Sequence, residues 1–117
     1  MRAAVLLGVL VLLGAPMSAC GGLQTGTRLD IVATEYAFDP ATVVLDAHTI
    51  GFSIRNQGQI EHDFELIGAD GVVTHVEAIQ PGLNGGVSIT VKPGSYRFVC
   101  TIEDHAQRGM SGTLTAR

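Results

Sequence analysis

Near its C-terminus the chain carries a cysteine, a histidine and a methionine at a regular spacing. Cys100, His105 and Met110 follow the pattern Cys-x4-His-x4-Met, and a fourth residue, His62, lies far upstream where a loop meets a strand-like segment. Together they offer two imidazoles, one thiolate and one thioether. This donor set suits copper in both of its oxidation states, with the thioether as a weak axial ligand. The sequence therefore predicts a site for one copper ion (Cu⁺/Cu²⁺).

Other interpretations of these residues are weaker. Zinc also binds histidine and cysteine, but structural zinc sites use four good N or S donors and catalytic ones keep a water. Taken singly, each of the four side chains would be a structural or core residue, and only their joint spacing indicates a metal. His48 and His75 lack such support. We expect His48 in an exposed turn and His75 on a strand surface, with a weak second copper site on them as a minor alternative.

The segments that must position these ligands read as short β-strands separated by turn residues. Ile50, Phe52 and Ile54 alternate with small or polar residues, as on a strand with one buried face. The same pattern recurs along the chain, and the predicted strands are 29–33, 42–45, 50–54, 62–67, 72–76, 87–91, 95–100 and 111–116. Seven or eight strands without helical periodicity predict an antiparallel β-sandwich. An immunoglobulin-type sandwich is the main competitor, but the chain has no Trp and no second core cysteine.

The N-terminus reads as an export signal. A charged start is followed by an apolar run over 3–15 that is too short to span a bilayer comfortably. Small residues then precede Cys20, as in a bacterial lipobox. We therefore expect a signal peptide over 1–19, a lipidated Cys20 and flexible tether over 20–28, and a folded domain over 29–117. The alternatives are plain secretion with Cys20 as a free mature end, or a Cys20–Cys100 disulfide.

Length and charge narrow the classes further. The chain has 117 residues, which suits one domain, and a net charge of −4, which gives a nucleic-acid partner no electrostatic support. A single thiol at Cys100 would be reactive in an oxidising compartment unless it is buried, paired with another chain or bound to a metal. The nearby His105 and Met110 favour a bound metal.

The sequence resembles the cupredoxins, the plastocyanin and azurin family of blue copper proteins. The resemblance is carried by Phe38-Asp39-Pro40 before a strand, Asn56-x-Gly58 ahead of His62-Asp63-Phe64, Pro93-Gly94-x-Tyr96-x-Phe98-x-Cys100, and His105-Ala106-x-x-Gly109-Met110-x-Gly112. It implies an all-β, Greek-key sandwich of about seven to eight strands, with copper at one end. The implied ligands are His62, Cys100, His105 and the axial Met110.

The resemblance also implies how such a protein works. Electrons would pass through an exposed ring edge of His105, inside a docking patch of Ala106, Gln107, Arg108 and Gly109 with Met110. Asp63 and Thr101 are expected to surround the ligands with hydrogen bonds that orient them.

The chain departs from the family where Glu103-Asp104 stands for the Pro-Gly of many members and Asp63 for a frequent Asn. Carboxylates near copper favour its more positive state, so we expect Glu103 and Asp104 to lower the reduction potential modestly.

The predicted function is a one-electron carrier outside the cytoplasm, monomeric, tethered by its lipid to a membrane and docking transiently with redox proteins. Copper storage or delivery is the alternative, as is an electron-transfer accessory of a larger copper or respiratory enzyme. An enzymatic role is not expected, because four histidines serve the whole chain and no His-x-His pair occurs. A single loop cysteine argues against a binuclear copper centre, and a metal-free adhesive sandwich is the structural alternative.

Overall fold

The computed structural model describes residues 26–46 and 48–117, which form two β-sheets packed face to face. The strands are β1 (Gly26–Thr34), β2 (Ala37–Asp39), β3 (Thr42–Leu45), β4 (Thr49–Asn56), β5 (His62–Gly68), β6 (Gly71–Ile79), β7 (Asn84–Thr90), β8 (Gly94–Val99) and β9 (Ser111–Ala116). The expected signal peptide and Cys20 lie outside the described residues.

One sheet has the strand order β2-β1-β4-β7, and the other has the order β3-β9-β8-β5-β6. The chain passes between the sheets several times, as in the predicted Greek-key sandwich. Most neighbouring strands are antiparallel, as expected, but β1 pairs with β4 and β3 pairs with β9 in parallel, which the sequence did not indicate. Parallel neighbours arise when the chain crosses to the opposite sheet before it returns, since a hairpin produces only antiparallel pairs.

Several strand boundaries also differ from the sequence-based expectation, with β6 extending to Ile79 and β7 beginning at Asn84, and two further differences concern β1 and β2. The described residues form nine strands, because Ala37–Asp39 make a short strand, β2, that pairs with the end of β1. β1 begins at Gly26, where it pairs with Thr49, so residues 26–28 belong to the sheet and not to the tether. Glycine-rich, polar composition near Gly26 concealed the strand, whose partner lies more than twenty residues downstream.

The core lies between the sheets and follows the predicted alternation. Ile50, Phe52 and Ile54 of β4 are all buried. The centre of the core is a cluster of four aromatic rings with centroids 5.2–5.8 Å apart, contributed by Phe38, Phe52, Phe64 and Phe98. Such contacts add to the free energy of burial, so both sheets are held at a defined separation. This rigid base supports the end of the sandwich where the predicted ligands lie.

Strand directions bring the ligand-bearing segments to one end. β5 and β8 are antiparallel, with Glu65 opposite Val99, so β5 begins beside the end of β8. β9 begins next to that same end, where Ser111 pairs with Val99. The β1–β2 turn lies at this end too. Over the ranges that the structure describes, no helix is long and apolar enough to cross a membrane.

Candidate metal centre

Three of the four predicted ligands form one compact cluster. His62 begins β5, Cys100 follows β8, and His105 lies in the loop that joins β8 to β9. One ligand atom from each lies within 4.8 Å of the other two, and all three side chains are buried. The cluster offers imidazole nitrogen and thiol sulfur donors to a single ion.

The loop from Cys100 to Met110 is closed by its own backbone. The Cys100 amide donates to the Met110 carbonyl at 3.1 Å, and the Met110 amide donates to the His105 carbonyl at 3.1 Å. Met110 is completely buried beneath the loop. These bonds hold the two loop donors and the thioether-bearing residue in place within one turn-rich segment, where the sequence pattern placed them.

His62 carries the clearest sign that a metal belongs here. Its side chain is completely buried, and its Nδ1 has no hydrogen-bond partner among the described residues. A buried polar atom without a partner costs free energy. A metal ion would satisfy that nitrogen beside the Cys100 thiol. The soft sulfur donors of Cys100 and Met110 together with two imidazoles fit copper.

Cys100 is a completely buried donor. Its sulfur lies 3.4 Å from Nδ1 of His105 and accepts a hydrogen bond from the Asp63 amide at 3.5 Å. Burial raises the pKa of the Cys100 thiol, although hydrogen bonds from the Asp63 and Ile102 amides partly offset this. Metal binding to a thiol releases its proton, so the ion and the proton compete for this sulfur.

Asp63 links the two ligand-bearing segments. Its carboxylate accepts the Thr101 amide at 2.6 Å and the Thr101 hydroxyl, and it contacts Nε2 of His75 at 2.8 Å. Burial alone would raise the pKa of Asp63, but the Thr101 hydroxyl, His75 and the Thr101 amide together hold it below its usual range. Asp63 and Thr101 thus lie beside the ligand-bearing segments and are joined to each other by hydrogen bonds. His75 lies on the strand surface as expected, and it also pairs with Asp63.

We expect the His75–Asp63 pair to stabilise the metal-free protein at acidic and neutral pH and to lose its effect in base. The hydrogen bond to Asp63 raises the pKa of His75, partly opposed by burial, and the charges of Asp63, Glu65 and Glu77 raise it further. A raised pKa contributes stability fully below the unfolded-state value, and that stability is lost as pH rises through the folded-state value.

The test compares the free energy of unfolding of the wild type with that of His75→Gln. Because His75 is 37% exposed, the wild-type advantage should be under about 1 kcal/mol near pH 5.5 and smaller near pH 9. His48→Gln, which changes an exposed histidine before β4, is the control. An advantage for the wild type that grows with pH would contradict the assignment.

The surface around His105 differs from the expectation. His105 is 3% exposed, so the predicted exposed ring edge is nearly covered. Tyr36 packs edge-on against the imidazole with centroids 5.0 Å apart, and the Arg108 guanidinium lies 4.9 Å from the Tyr36 ring centroid. Met110 is buried, so it contributes nothing to a docking surface.

The other residues of the predicted docking patch do reach the surface. Gln107, Arg108 and Gly109 are exposed and Ala106 is partly exposed. They occupy the outer side of the same loop whose inner side carries the ligands. The placement is compatible with the predicted docking patch, which stays a prediction.

The two acidic residues of the ligand loop have different surroundings. Asp104 forms an ion pair with Arg108 at 2.8 Å, which lowers the pKa of Asp104 and offsets its charge. Glu103 is exposed and adopts a positive φ of 44°, a backbone conformation that disfavours side chains with a Cβ and that proline cannot adopt. Because its ion pair with Arg108 offsets the charge of Asp104, we expect Asp104 to lower the reduction potential of a bound ion less than an unpaired carboxylate would.

Sequence reasoning missed the β1–β2 turn. Glu35 contacts Nε2 of His62 at 3.0 Å, and its neighbour Tyr36 packs on His105. Both histidines of the cluster are therefore contacted from the opposite sheet. The only signal in the sequence was a carboxylate and an aromatic ring just before the Phe38-Asp39-Pro40 segment, and such a signal is too common to identify a metal site.

Known proteins share this fold. A family model described as a cupredoxin-like domain matches residues 3–116. The copper-resistant cuproprotein CopI of Rubrivivax gelatinosus is 30% identical over 105 residues, which cover 74% of this chain and 64% of CopI. This chain thus spans less than two thirds of the length of that relative.

Solved structures agree at the level of the fold. Dithionite-reduced auracyanin from Roseiflexus castenholzii superimposes with a TM-score of 0.71 at 21% identity, covering 78% of this chain and 97% of that one. Auracyanin A from Chloroflexus aurantiacus, described as a "blue" copper protein, gives a TM-score of 0.69 at 17% identity, covering 79% and 99%. With the family match over nearly its whole length, this chain belongs to the cupredoxin-like domain family.

Proposed function

We propose that this chain is a type 1 (blue) copper protein that carries single electrons outside the cytoplasm. One copper ion would be held by His62, Cys100 and His105, with Met110 as a further, weaker donor. The observation that carries the proposal is the buried cluster of two imidazoles and a thiol, whose ligand atoms lie within 4.8 Å of one another. A bound copper ion supplies a single electron by cycling between Cu(I) and Cu(II).

The protein's part is to keep the donors still during that cycle. His62 lies on a strand of the sheet, and the Cys100–Met110 loop is closed by backbone hydrogen bonds. When the ligands move little between the two oxidation states, the reorganisation energy of electron transfer is small. Burial of the donors also excludes water, which would otherwise coordinate and alter the geometry.

The path for electrons would leave the site through His105. His105 is nearly covered and packs against Tyr36, and it is followed in the same loop by the partly exposed Ala106 and the exposed Gln107, Arg108 and Gly109. A small patch of this kind suits the brief encounters of redox proteins, which use small interfaces. We propose that the protein acts as a monomer, docks transiently through this patch and catalyses no reaction of its own.

Export and membrane attachment complete the proposal. The apolar segment 3–15 and the small residues before Cys20 support a signal peptide and a lipidated cysteine. Lipid chains on one residue would hold the protein at the cell membrane, on its periplasmic or extracellular face. The tether between Cys20 and β1 is short, so the domain would stay close to the membrane surface.

Copper handling is the second candidate, and one observation favours it. The relative that is 30% identical is named a copper-resistant cuproprotein. A protein that protects against copper must take up or pass on the ion, whereas a carrier must retain it through many redox cycles. The two roles therefore differ in how fast the ion leaves the site.

We expect the copper-loaded protein to show one reversible redox couple and slow loss of copper. Cyclic voltammetry measures the couple, and transfer of copper to an excess of a chelator measures the loss. Retention over many redox cycles supports the carrier, because the donors are buried and held by the fold. An irreversible couple together with rapid transfer of copper to the chelator would favour copper handling instead.

A further inference from the structure

A carboxylate from the opposite sheet contacts the ring of one metal ligand. Oε1 of Glu35 lies 3.0 Å from Nε2 of His62, and it also accepts the backbone amides of Gln59 at 2.9 Å and Ile60 at 3.1 Å. Glu35 is in the β1–β2 turn, and the other three residues lie in or next to the β4–β5 loop. One oxygen therefore ties that turn to the loop that leads into His62.

The backbone is shaped to accept this carboxylate. A Cβ placed on Gly58 would collide with Oε1 of Glu35 and lie 2.8 Å from its Cδ and 2.9 Å from its Oε2. Any residue other than glycine at position 58 would force the Glu35 carboxylate or the backbone to move. The absence of a side chain at Gly58 and the amides of Gln59 and Ile60 together make room for the Glu35 carboxylate and bind it.

The hydrogen bond determines which nitrogen of His62 is free. A carboxylate accepts hydrogen bonds, so Nε2 of His62 carries the proton and donates a hydrogen bond to Glu35. Nδ1 then holds the lone pair, and Nδ1 is the buried atom without a partner. Carboxylate–histidine–metal arrangements orient ligand rings and raise ligand basicity in the same way.

The charge of Glu35 is less compensated than that of the other carboxylates nearby. Asp104 is paired with Arg108 and Asp63 is paired with His75. Among the residues that the structure describes, the ion-pair partner of Glu35 is His62, whose ring is neutral when it binds a metal. The Glu35 carboxylate accepts hydrogen bonds from Gln59, Ile60 and His62, and such bonds favour its charged form.

We propose that Glu35 is a positioning residue of the copper centre, which presents Nδ1 of His62 to the ion and biases the centre towards Cu(II). The proposal rests on copper binding at the cluster described above. It adds a specific consequence, namely that the centre is harder to reduce than its four donors alone would make it. The negative charge would be separated from a bound ion by the His62 ring, and it would stabilise the more positive oxidation state.

The test uses two variants and two measurements. Glu35→Gln keeps an oxygen that can accept the same hydrogen bonds but removes the charge, whereas Glu35→Ala removes both. The first measurement is the midpoint potential of the copper-loaded protein. The second is the ¹⁵N NMR spectrum of the metal-free protein, which reports the protonated nitrogen of His62 without any copper.

We expect Glu35→Gln to raise the Cu(I)/Cu(II) ratio at a fixed potential about tenfold, which equals a midpoint shift of about +59 mV. The metal-free wild type and Glu35→Gln should both show His62 protonated at Nε2. Glu35→Ala should show a mixture of both forms and bind copper about 10- to 100-fold more weakly.

Glu61→Gln is the matched control, since Glu61 precedes His62 but hydrogen-bonds Gln80 instead of a ligand. Its midpoint shift should be far smaller. The proposal would be overturned if Glu35→Gln and Glu61→Gln shifted the midpoint potential equally. It would also be overturned if His62 of the metal-free wild type were protonated at Nδ1. If the wild type binds no copper, the proposed function fails, and the NMR measurement still decides whether Glu35 sets the proton of His62.

Discussion

Cys100→Ser should abolish the strong visible absorption that copper(II) produces when it binds a thiolate. Cys100 is completely buried, and its sulfur lies 3.4 Å from Nδ1 of His105. Serine has a similar size but a hydroxyl in place of the soft sulfur donor, which copper requires here. We expect copper affinity to fall by more than about 100-fold, because even changes outside the ligand set cost 10- to 100-fold.

Copper titration followed by absorbance and metal analysis measures both effects. Met110→Leu is the control, since it conserves volume in the same buried loop and removes only the weak axial donor. That variant should keep an absorption band at a shifted wavelength. A coloured Cys100→Ser protein, or a wild type that binds copper without colour, would contradict the assignment of the ligands.

Gly112→Ala should destabilise the metal-free protein by at least about 2 kcal/mol, although it adds a single methyl group. Gly112 in β9 is paired with Phe98 in β8. A Cβ at this position would collide with the ring of Phe98 and lie 2.6 Å from the carbonyl oxygen of Ala41. The Phe98 ring is packed in the aromatic cluster, and the Ala41 oxygen belongs to the backbone. Neither can move without disturbing the core.

Equilibrium unfolding in urea measures this cost. Gly51→Ala in β4 is the control, because nothing lies within 4 Å of the Cβ it would add. That substitution should be neutral or stabilise by up to about 1 kcal/mol, since alanine loses less conformational freedom on folding than glycine. Similar effects of the two substitutions would show that packing around Gly112 is looser than the structure indicates.

The strands were predictable because their signal is local. Alternation at Ile50, Phe52 and Ile54 identified the buried face of β4, and all three side chains are buried. β3 and β9 have the predicted ends. The predictions were less accurate at β1, β2, the end of β6 and the start of β7. At β1, pairing with a distant segment outweighs a weak local preference. Strand propensity depends on such context more than helix propensity does.

The metal cluster was predictable for a related reason. Cys100, His105 and Met110 lie within eleven residues of one another, so their spacing is visible in the sequence. His62 was connected to them only through the resemblance and its position before a strand. The structure places it beside them because β5 and β8 are antiparallel neighbours.

The covering of the site could not be predicted. Glu35 and Tyr36 are 27 and 69 residues before the histidines they contact, and they come from the other sheet. No spacing rule links such residues, because their distance depends on how the two sheets are stacked. The same reason explains why the predicted exposed edge of His105 is nearly covered.

By itself the sequence determined the kind of site: a thiol, two imidazoles and a thioether at the end of a β-sandwich. Residue types carry donor chemistry, and local alternation carries strands, so both are present in the sequence. Only the tertiary structure decided the surroundings of those donors: the carboxylate of Glu35 on His62, the ring of Tyr36 on His105 and the pairing of Asp63 with His75. These contacts join segments from different strands and sheets, and packing alone brings them together.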